Sequence, residues 1–149
     1  MLFRSGHVSR AIEILPYLSQ YGQVDIFLSG SNVDLKKELP VAYRSKGLSL
    51  KYNQTKGSID IWQTIKHTRP MGIWKEAKYL PIENYDLIIN DFECITSLSC
   101  KMKKMDSIHF GHQASFKSQH VPRPQKKDFK GEFTLSHYAT GSKIDRAHV

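Results

Sequence analysis

Apolar residues near the start of the chain recur at every third or fourth position from Val8 to Leu18. This spacing predicts an amphipathic helix over residues 8–18, opened by a glycine and a histidine at positions 6 and 7. Pro16 lies inside the run, and we expect it to kink the helix or to begin its end. We expect Gly22 to terminate the helix.

Four later segments have the pattern of β-strands. Residues 24–30 and 85–90 are short and apolar, which is typical of buried strands, and we expect the second of them to lie in a parallel sheet. Residues 106–110 predict a further strand, and residues 41–50 give a weaker strand signal.

Helical patterns separate these strands. Ser58 is a suitable N-cap for a helix that we expect to continue to Leu80, with Pro70 and Gly72 interrupting it. Residues 94–102 predict a helix of small residues that packs closely against its neighbours. Strands that alternate with helices indicate an α/β fold with a mostly parallel sheet flanked by helices.

Composition narrows the class of protein. The 149 residues suit one domain with its own core, and no apolar run approaches the length of a membrane span. The net charge of +8 and the pI near 9.5 favour an anionic partner. Cys94 and Cys100 lack the spacing of a zinc site and the density of a disulfide scaffold, so we expect both to be reduced. We interpret Trp62, Trp74 and Phe92 as core residues.

Three of the expected strand ends are followed by polar residues that could bind a ligand. In parallel α/β sheets, ligands bind beyond the carboxyl ends of the strands. That rule selects "SGHVS" at residues 5–9, "NDFE" at residues 90–93 and "GHQAS" at residues 111–115. Almost no strand precedes the first of these segments, because only "MLFRS" stands before Gly6.

His7 and Asp91 are the candidates for acid–base chemistry. A neutral imidazole at the start of a helix can accept a proton from a hydroxyl group. A carboxylate on its other ring nitrogen would orient the imidazole and stabilise the imidazolium that forms, and Asp91 follows a neighbouring predicted strand. The alternative is structural: His7 caps its own helix, and Asp91 caps the helix that follows.

The segment at residues 111–115 could line an acceptor pocket. Gly111 would let the backbone approach a ligand closely, and His112 and Ser115 would supply polar contacts. An ordinary turn between a strand and a loop is an equal alternative. The remaining histidines have no spacing that suggests a metal site; they are His67, His109, His120, His137 and His148.

Three segments in this order resemble a known family. "GHVSRAIEILPYLSQYGQVDIFLSG", "YDLIINDFE" and "GHQASF" resemble the N-terminal half of a bacterial glycosyltransferase family with the GT-B architecture. That family is related to the lipid-intermediate N-acetylglucosaminyltransferase of peptidoglycan synthesis. The resemblance runs from Gly6 to about Tyr138, and it implies a Rossmann-like acceptor-binding domain.

The resemblance also implies an activity and its residues. It implies inverting transfer of a sugar from a nucleotide-sugar donor to an acceptor hydroxyl, without a metal and with no cofactor beyond the donor as co-substrate. His7 would be the catalytic base and Asp91 its supporting carboxylate. The acceptor-binding residues would be Gly6, Ser9, Asn90, Glu93, Gly111, His112, Gln113 and Ser115.

The chain departs from the family pattern at both ends. Family members open with a full strand and continue into a donor-binding domain, so we expect a truncated first strand and a missing C-terminal partner domain. We assign residues 1–117 to the Rossmann-like domain and residues 118–149 to a basic, proline-containing loop and tail of the same domain. In the strand order 3-2-1-4-5, the first strand is central, so its loss would leave a gap.

The expected partners follow from the same resemblance. They are a sugar or lipid-linked acceptor and an anionic membrane surface, with no nucleic acid, and the expected location is cytoplasmic and peripheral at the inner membrane face. The alternative function is a non-enzymatic α/β module that binds a phosphate-bearing or anionic lipid ligand. A flavodoxin-like nucleotide-binding protein is a third option, but the chain has no G-x-G-x-x-G fingerprint.

Overall fold

A computed structural model describes residues 6–30, 39–45, 47, 70–110 and 129 of the chain. The chain divides into two compact units, Met1–Ser49 and Leu50–Val149, and each is described by itself. The described elements make the protein a mixed α/β structure with short pairs of parallel strands. The predicted start of the loop and tail of the same domain, at residue 118, lies outside the described residues.

The first unit begins with helix α1, Gly6–Leu18, which buries Val8 at 5% exposure. Pro16 lies inside the helix, which ends two residues later, so its predicted role in beginning the end of the helix agrees with the structure. The prediction that Gly22 terminates α1 is wrong. The backbone N–H of Ser19 donates to the carbonyl of Leu15, and a turn closes the helix before Gly22 is reached.

Two short strands follow α1 and pair in parallel. Strand β1, Ile26–Ser29, lies beside strand β2, Val41–Ser45, with Leu28 opposite Arg44 and Ser29 opposite Ser45. Both strands fall within segments that the sequence predicted as strands. Leu28 is buried, which places the apolar side of this pair in the core of the first unit.

Two glycines meet at the carboxyl end of this strand pair. Gly30 directly follows β1 with φ +82°, and Gly47 lies two residues after β2 with φ +54°. A Cβ atom on Gly47 would lie 2.9 Å from the backbone nitrogen of Gly30 and 2.9 Å from Cβ of Ser29. The backbone N–H of Gly47 donates to Oγ of Ser45 at 2.9 Å. The two strand ends can therefore approach this closely only if position 47 has no side chain.

The second unit contains helix α2, Pro70–Tyr79, a 3-10 helix, Ile82–Asn84, strand β3, Ile89–Asn90, helix α3, Cys94–Lys103, and strand β4, Ile108–His109. Gly72 lies inside α2, so the prediction that it interrupts the helix is wrong. Pro70 is the first described residue of α2, so the break predicted there stays a prediction. Residues 58–69 of the predicted helix lie outside the described residues.

Strands β3 and β4 are parallel neighbours, and α3 connects them. Ile89 lies opposite Ile108 and Asn90 opposite His109, and the N–H of Phe110 donates to the carbonyl of Asn90 at 2.8 Å. The segment 89–109 is therefore a β–α–β unit, as the alternation of strand and helix patterns predicted. The observed strands are shorter than the predicted ones, which covered residues 85–90 and 106–110.

The core of the second unit forms between α2 and α3, which pack against each other. Ala77, Ile95, Ser97, Ser99 and Cys100 are fully buried. The prediction that α3 is a helix of small residues packed closely is confirmed, because small side chains let the helix lie close to its neighbours.

A lysine joins the end of α3 to the segment after α2. Nζ of Lys103 donates to the carbonyl oxygen of Leu80, and it also donates to the carboxylate of Glu83 at 2.8 Å. This hydrogen bond holds the pKa of Glu83 below its ordinary value. The ion pair therefore stabilises the folded chain above the ordinary pKa of a glutamate, and its contribution is lost as the pH falls through the lowered pKa. Glu83 is exposed, so solvent screens the pair.

One aromatic residue is not in the core. Trp74 is 51% exposed on α2, so its interpretation as a core residue is wrong. The buried side of α2 is formed by Ala77 and by Leu80 just beyond the helix, which leaves the larger side chain outside. Phe92 is half-buried, and Trp62 lies outside the described residues.

We predict that Gly47→Ala lowers the free energy of unfolding by about 2–4 kcal/mol, from the cost of a left-handed backbone and from overpacking against Gly30. Gly22→Ala is the matched control, because no atom lies within 4 Å of its added Cβ and its φ is not positive. We expect the control to leave stability unchanged or to raise it by up to about 1 kcal/mol. Urea unfolding followed by circular dichroism measures both variants, and equal effects would contradict the close approach at Gly47.

Candidate functional site

The turn between β3 and α3 is a place in the described chain where polar side chains follow the end of a parallel strand. Its residues are Asn90, Asp91, Phe92 and Glu93. Because ligands of parallel sheets bind at the carboxyl ends of strands, this turn is where the sequence predicted a site. The sequence also predicted that these side chains would face an acceptor.

Asn90 builds the turn. Its side chain is 1% exposed, and its Oδ1 accepts from the backbone N–H of Glu93 at 2.7 Å. Its Nδ2 donates to the carbonyl oxygen of Glu93 at 2.9 Å and to Oγ of Ser97 at 2.8 Å. One amide group thus ties the last residue of β3 to the start and the second turn of α3. A direct contact of Asn90 with an acceptor would require breaking these bonds.

Glu93 is the N-cap of α3. Its carboxylate accepts from the backbone N–H of Ile95 at 2.9 Å and from that of Thr96 at 2.6 Å. The structural alternative in which Asp91 caps this helix is wrong, because Glu93 occupies that place. The capping carboxylate carries a negative charge at the positive end of the helix dipole, so this helix end is already neutralised and does not favour a phosphate.

Asp91 and His109 stand at the same end of the two parallel strands. Asp91 directly follows β3, and His109 is the last residue of β4, opposite Asn90 in the register. Both side chains are half-buried. A carboxylate accepts hydrogen bonds and an imidazole can donate or accept, so this edge has the groups needed to hold a hydroxyl-bearing ligand.

His109 had no functional role in the sequence interpretation. Its position near the end of the predicted strand 106–110, just before the polar segment 111–115, could have indicated it as a site residue. The structure also gives His109 an aromatic neighbour. The ring of Phe92 lies 6.5 Å from the imidazole, centroid to centroid, at an interplanar angle of 87°.

His7 lies in the first turn of α1, and its side chain is half-buried. Nη2 of Arg10 lies 3.1 Å from Nδ1 of His7. A guanidinium only donates hydrogen bonds, so Nδ1 is the acceptor nitrogen in this contact and a neutral imidazole carries its proton on Nε2. In this arrangement, neither nitrogen of His7 is ready to accept a proton from a substrate.

The other predicted site residues divide into two groups. Gly6 is the first residue of α1, and Ser9 is half-buried on the same helix. Gly111, His112, Gln113 and Ser115 lie outside the described residues. His7 belongs to the first unit and Asp91 to the second, so the pairing of the two stays a prediction.

Of the two cysteines, Cys100 offers no nucleophile in the described structure. Both are free thiols, as predicted. Burial raises the pKa of the Cys100 thiol above its ordinary value, so it is protonated at neutral pH and unreactive. Within the described ranges, no group of three or more metal-ligating side chains comes together. In the same ranges, no helix is long and apolar enough to span a membrane.

Comparison with known proteins gave no relatives. No protein-family model, no curated protein and no solved structure matches this chain. The resemblance drawn from the sequence segments therefore stays a prediction, and what can be proposed depends on the chemistry of the residues themselves.

We predict that Asn90→Asp lowers the free energy of unfolding by about 2–4 kcal/mol at neutral pH. The carboxylate cannot donate to Glu93 or Ser97 and leaves their acceptors without a donor. The loss should shrink as the pH is lowered, because a protonated carboxyl group can donate one of these bonds again.

Asn84→Asp is the control for this substitution. Asn84 is exposed in the 3-10 helix, so we expect a change within about 0.5 kcal/mol. Urea unfolding at several pH values measures both variants. If Asn90→Asp behaved like Asn84→Asp at neutral pH, Asn90 would not be holding the turn.

Proposed function

We propose that this chain is the acceptor-binding half of a glycosyltransferase that moves a sugar from a nucleotide-sugar donor to an acceptor hydroxyl, by inverting, metal-independent displacement. The observation that carries the proposal is the turn after β3, where a buried asparagine fixes the backbone from which Asp91 leaves the carboxyl end of a parallel strand. A carboxylate carried on a fixed backbone at that position suits the orientation of a base or of an acceptor hydroxyl.

The strand pairs support the fold that the proposal requires. A Rossmann-like order 3-2-1-4-5 places strand 2 beside strand 3 and strand 4 beside strand 5, all in parallel. Within the first unit, β1 pairs in parallel with β2, and within the second unit, β3 pairs in parallel with β4. With the strand expected before α1 counted as strand 1, β1 and β2 are strands 2 and 3, and β3 and β4 are strands 4 and 5. Both observed pairings then agree with this order.

The proposed base is His7, and its contact with Arg10 defines what must change for catalysis. A base that accepts the acceptor proton on Nε2 needs its other proton on Nδ1, directed at a carboxylate. The guanidinium of Arg10 now donates to Nδ1. We therefore propose that Arg10 leaves Nδ1 in the active enzyme, so that this nitrogen can donate to a carboxylate. In this proposal Arg10 stabilises the tautomer of His7 that carries its proton on Nε2, and it takes no part in the chemical step.

We predict that, in the enzyme of which this chain forms the acceptor-binding half, His7→Ala slows sugar transfer by about 10²- to 10⁴-fold, the range for a general base. Arg10→Ala should change the rate much less, because it leaves the base in place. Initial rates with the donor and the acceptor varied in turn measure kcat and KM for both variants. Similar losses in kcat for the two variants would contradict the role of His7 as base.

A second observation favours the alternative, a module that binds anionic lipid, and it also supports the membrane partner of the transferase. One side of α2 exposes large apolar side chains next to basic ones. Met71 is 86% exposed, Trp74 51% and Tyr79 67%, and Lys75 and Lys78 are exposed beside them. We call this set the exposed α2 face.

The exposed α2 face suits the surface of an anionic bilayer. Nζ of Lys78 lies 5.2 Å from the centroid of the Trp74 ring and 5.8 Å from that of the Tyr79 ring. Aromatic side chains favour the membrane interface, and lysines gain energy beside anionic headgroups. Lysine is depleted at the centres of protein–protein interfaces, so this composition favours a lipid surface over a protein partner. The net charge of +8 acts in the same direction.

We predict that the chain binds phosphatidylcholine vesicles only when they contain phosphatidylglycerol, and that Lys75→Gln with Lys78→Gln weakens this binding at least about tenfold, since each lysine contributes about 1 kcal/mol. Tyr21→Ser is the control, since Tyr21 is 91% exposed in the first unit and outside the α2 face. Vesicle sedimentation at two salt concentrations gives the affinities. If Tyr21→Ser lost as much vesicle affinity, or if the chain bound neutral vesicles, the α2 face would not be the membrane contact.

A further inference from the structure

The pair of strands β3 and β4 has one buried face and one exposed face. Ile88 is 9% exposed, Asn90 1% and Ser107 4%, so the face that carries them packs inside the second unit. Successive side chains along a strand point to opposite faces. Ile89 lies opposite Ile108 in the register, and these two side chains therefore share the other face.

This other face is apolar and open to water. Leu87 precedes Ile89 by two residues and Phe110 follows Ile108 by two, so all four side chains belong to it. Leu87 is 56% exposed, Ile108 48% and Phe110 38%, and Ile89 is half-buried. We call these four residues the exposed strand face. Parallel strands in α/β proteins are covered by helices on both faces, so this face fits the apolar stripe of a helix.

The exposed α2 face is such a stripe. Met71, Trp74, Lys75 and Lys78 follow the spacing i, i+3, i+4, i+7, so they lie on one side of the helix. Ala77, on the other side, is fully buried. Both the exposed α2 face and the exposed strand face belong to the second unit, and both stay open to water in a single chain. Neither of them therefore covers the other within one copy.

The charges of the two surfaces are complementary. Lys75 and Lys78 accompany the apolar side chains of α2, whereas the carboxylates of Asp86 and Asp106 are exposed at the amino end of the strand pair. Lysine is depleted at the centre of protein interfaces, but lysines that meet carboxylates at a rim steer association and fix its orientation. Because the net charge of +8 makes two copies repel each other, contact between oppositely charged surfaces is the arrangement that favours association.

We propose that the exposed α2 face of one copy packs on the exposed strand face of a second copy, with Lys75 and Lys78 next to Asp86 and Asp106. The contact joins two different surfaces, so it leaves one of each open and lets further copies add. The inference goes beyond the proposed function and does not depend on it. Since the α2 face is also the proposed lipid contact, a bilayer and a second copy exclude each other there.

Sedimentation equilibrium of the whole chain, without lipid, measures this association. We expect the average mass to rise with protein concentration, because the contact is between unlike surfaces. We expect salt to reduce the rise, because salt screens the exposed charges. A chain that stayed monomeric up to about 1 mM would overturn the inference.

Charge reversal tests which surfaces meet. Lys75→Glu with Lys78→Glu makes the α2 face acidic, and it should weaken association at least about tenfold, because like charges then meet. Asp86→Lys should also weaken association, and a mixture of the two variants should associate more tightly than either alone. All three positions are exposed, and circular dichroism checks that each variant folds. Unchanged association in the lysine variant, or a mixture no tighter than its components, would contradict the contact.

A substitution without a charge change tests the apolar part of the contact. Leu87→Ser should weaken association about 3- to 10-fold, since a partly exposed leucine no longer becomes buried on contact. Tyr21→Ser is the matched control, because Tyr21 is 91% exposed in the first unit and belongs to neither surface. Equal effects of the two substitutions would show that the contact lies elsewhere. No lipid or sugar is present, so failure here leaves the transferase and lipid-binding proposals unaffected.

Discussion

The hydrogen bonds of Asn90 are the interaction on which the described second unit depends. In the turn from β3 to α3 the backbone of Phe92 is left-handed, and the amide of Asn90 contributes three bonds to this turn. Each bond is of ordinary strength, but the amide of Asn90 is itself buried, so losing the bonds would leave a buried polar group without partners. The position of Asp91, the strain at Phe92 and the cap of α3 all follow from this one side chain.

The packing around α3 explains why such a turn is possible. Serines, a threonine and a cysteine line the buried side of the helix, and Ser97 is small enough to lie within reach of the amide of Asn90. A larger residue at position 97 would remove both the space and the hydroxyl acceptor. Lys103 then fastens the other end of the helix to the segment after α2. The helix is thus held at its start by a buried neutral network and at its end by a partly exposed charged one.

The two candidate functions use different surfaces of the second unit. Acceptor chemistry concerns the strand ends, where Asp91, Phe92 and His109 lie, whereas lipid binding concerns the exposed α2 face. A transferase that acts on a lipid-linked acceptor would use both, since the bilayer surface would present the acceptor to the strand ends. A non-enzymatic module would need only the α2 face. The rate effect of His7→Ala therefore distinguishes the two functions, while vesicle binding alone does not.

The sequence by itself determined the order and type of most described elements. Helical spacing located α1, short apolar runs located β1 and β3, and small residues located α3, because these patterns are consequences of local geometry and burial. It also indicated the turn at residues 90–93 as the place for a site. The parallel pairing of β1 with β2 and of β3 with β4 agrees with the α/β class that the alternation predicted.

Tertiary structure alone decided what each residue of that site does. The sequence "NDFE" contains three polar residues that could each cap a helix or bind a ligand. Only the folded backbone shows that Glu93 caps α3 and that Asn90 binds the backbone of the turn. The contact of Arg10 with His7 depends on rotamers that no spacing fixes. The exposure of Trp74 could not be predicted from the sequence, because a tryptophan at helical spacing suits a core as well as a surface. The sequence pattern shows which side chains are apolar, whereas long-range packing determines which of them stay exposed to water.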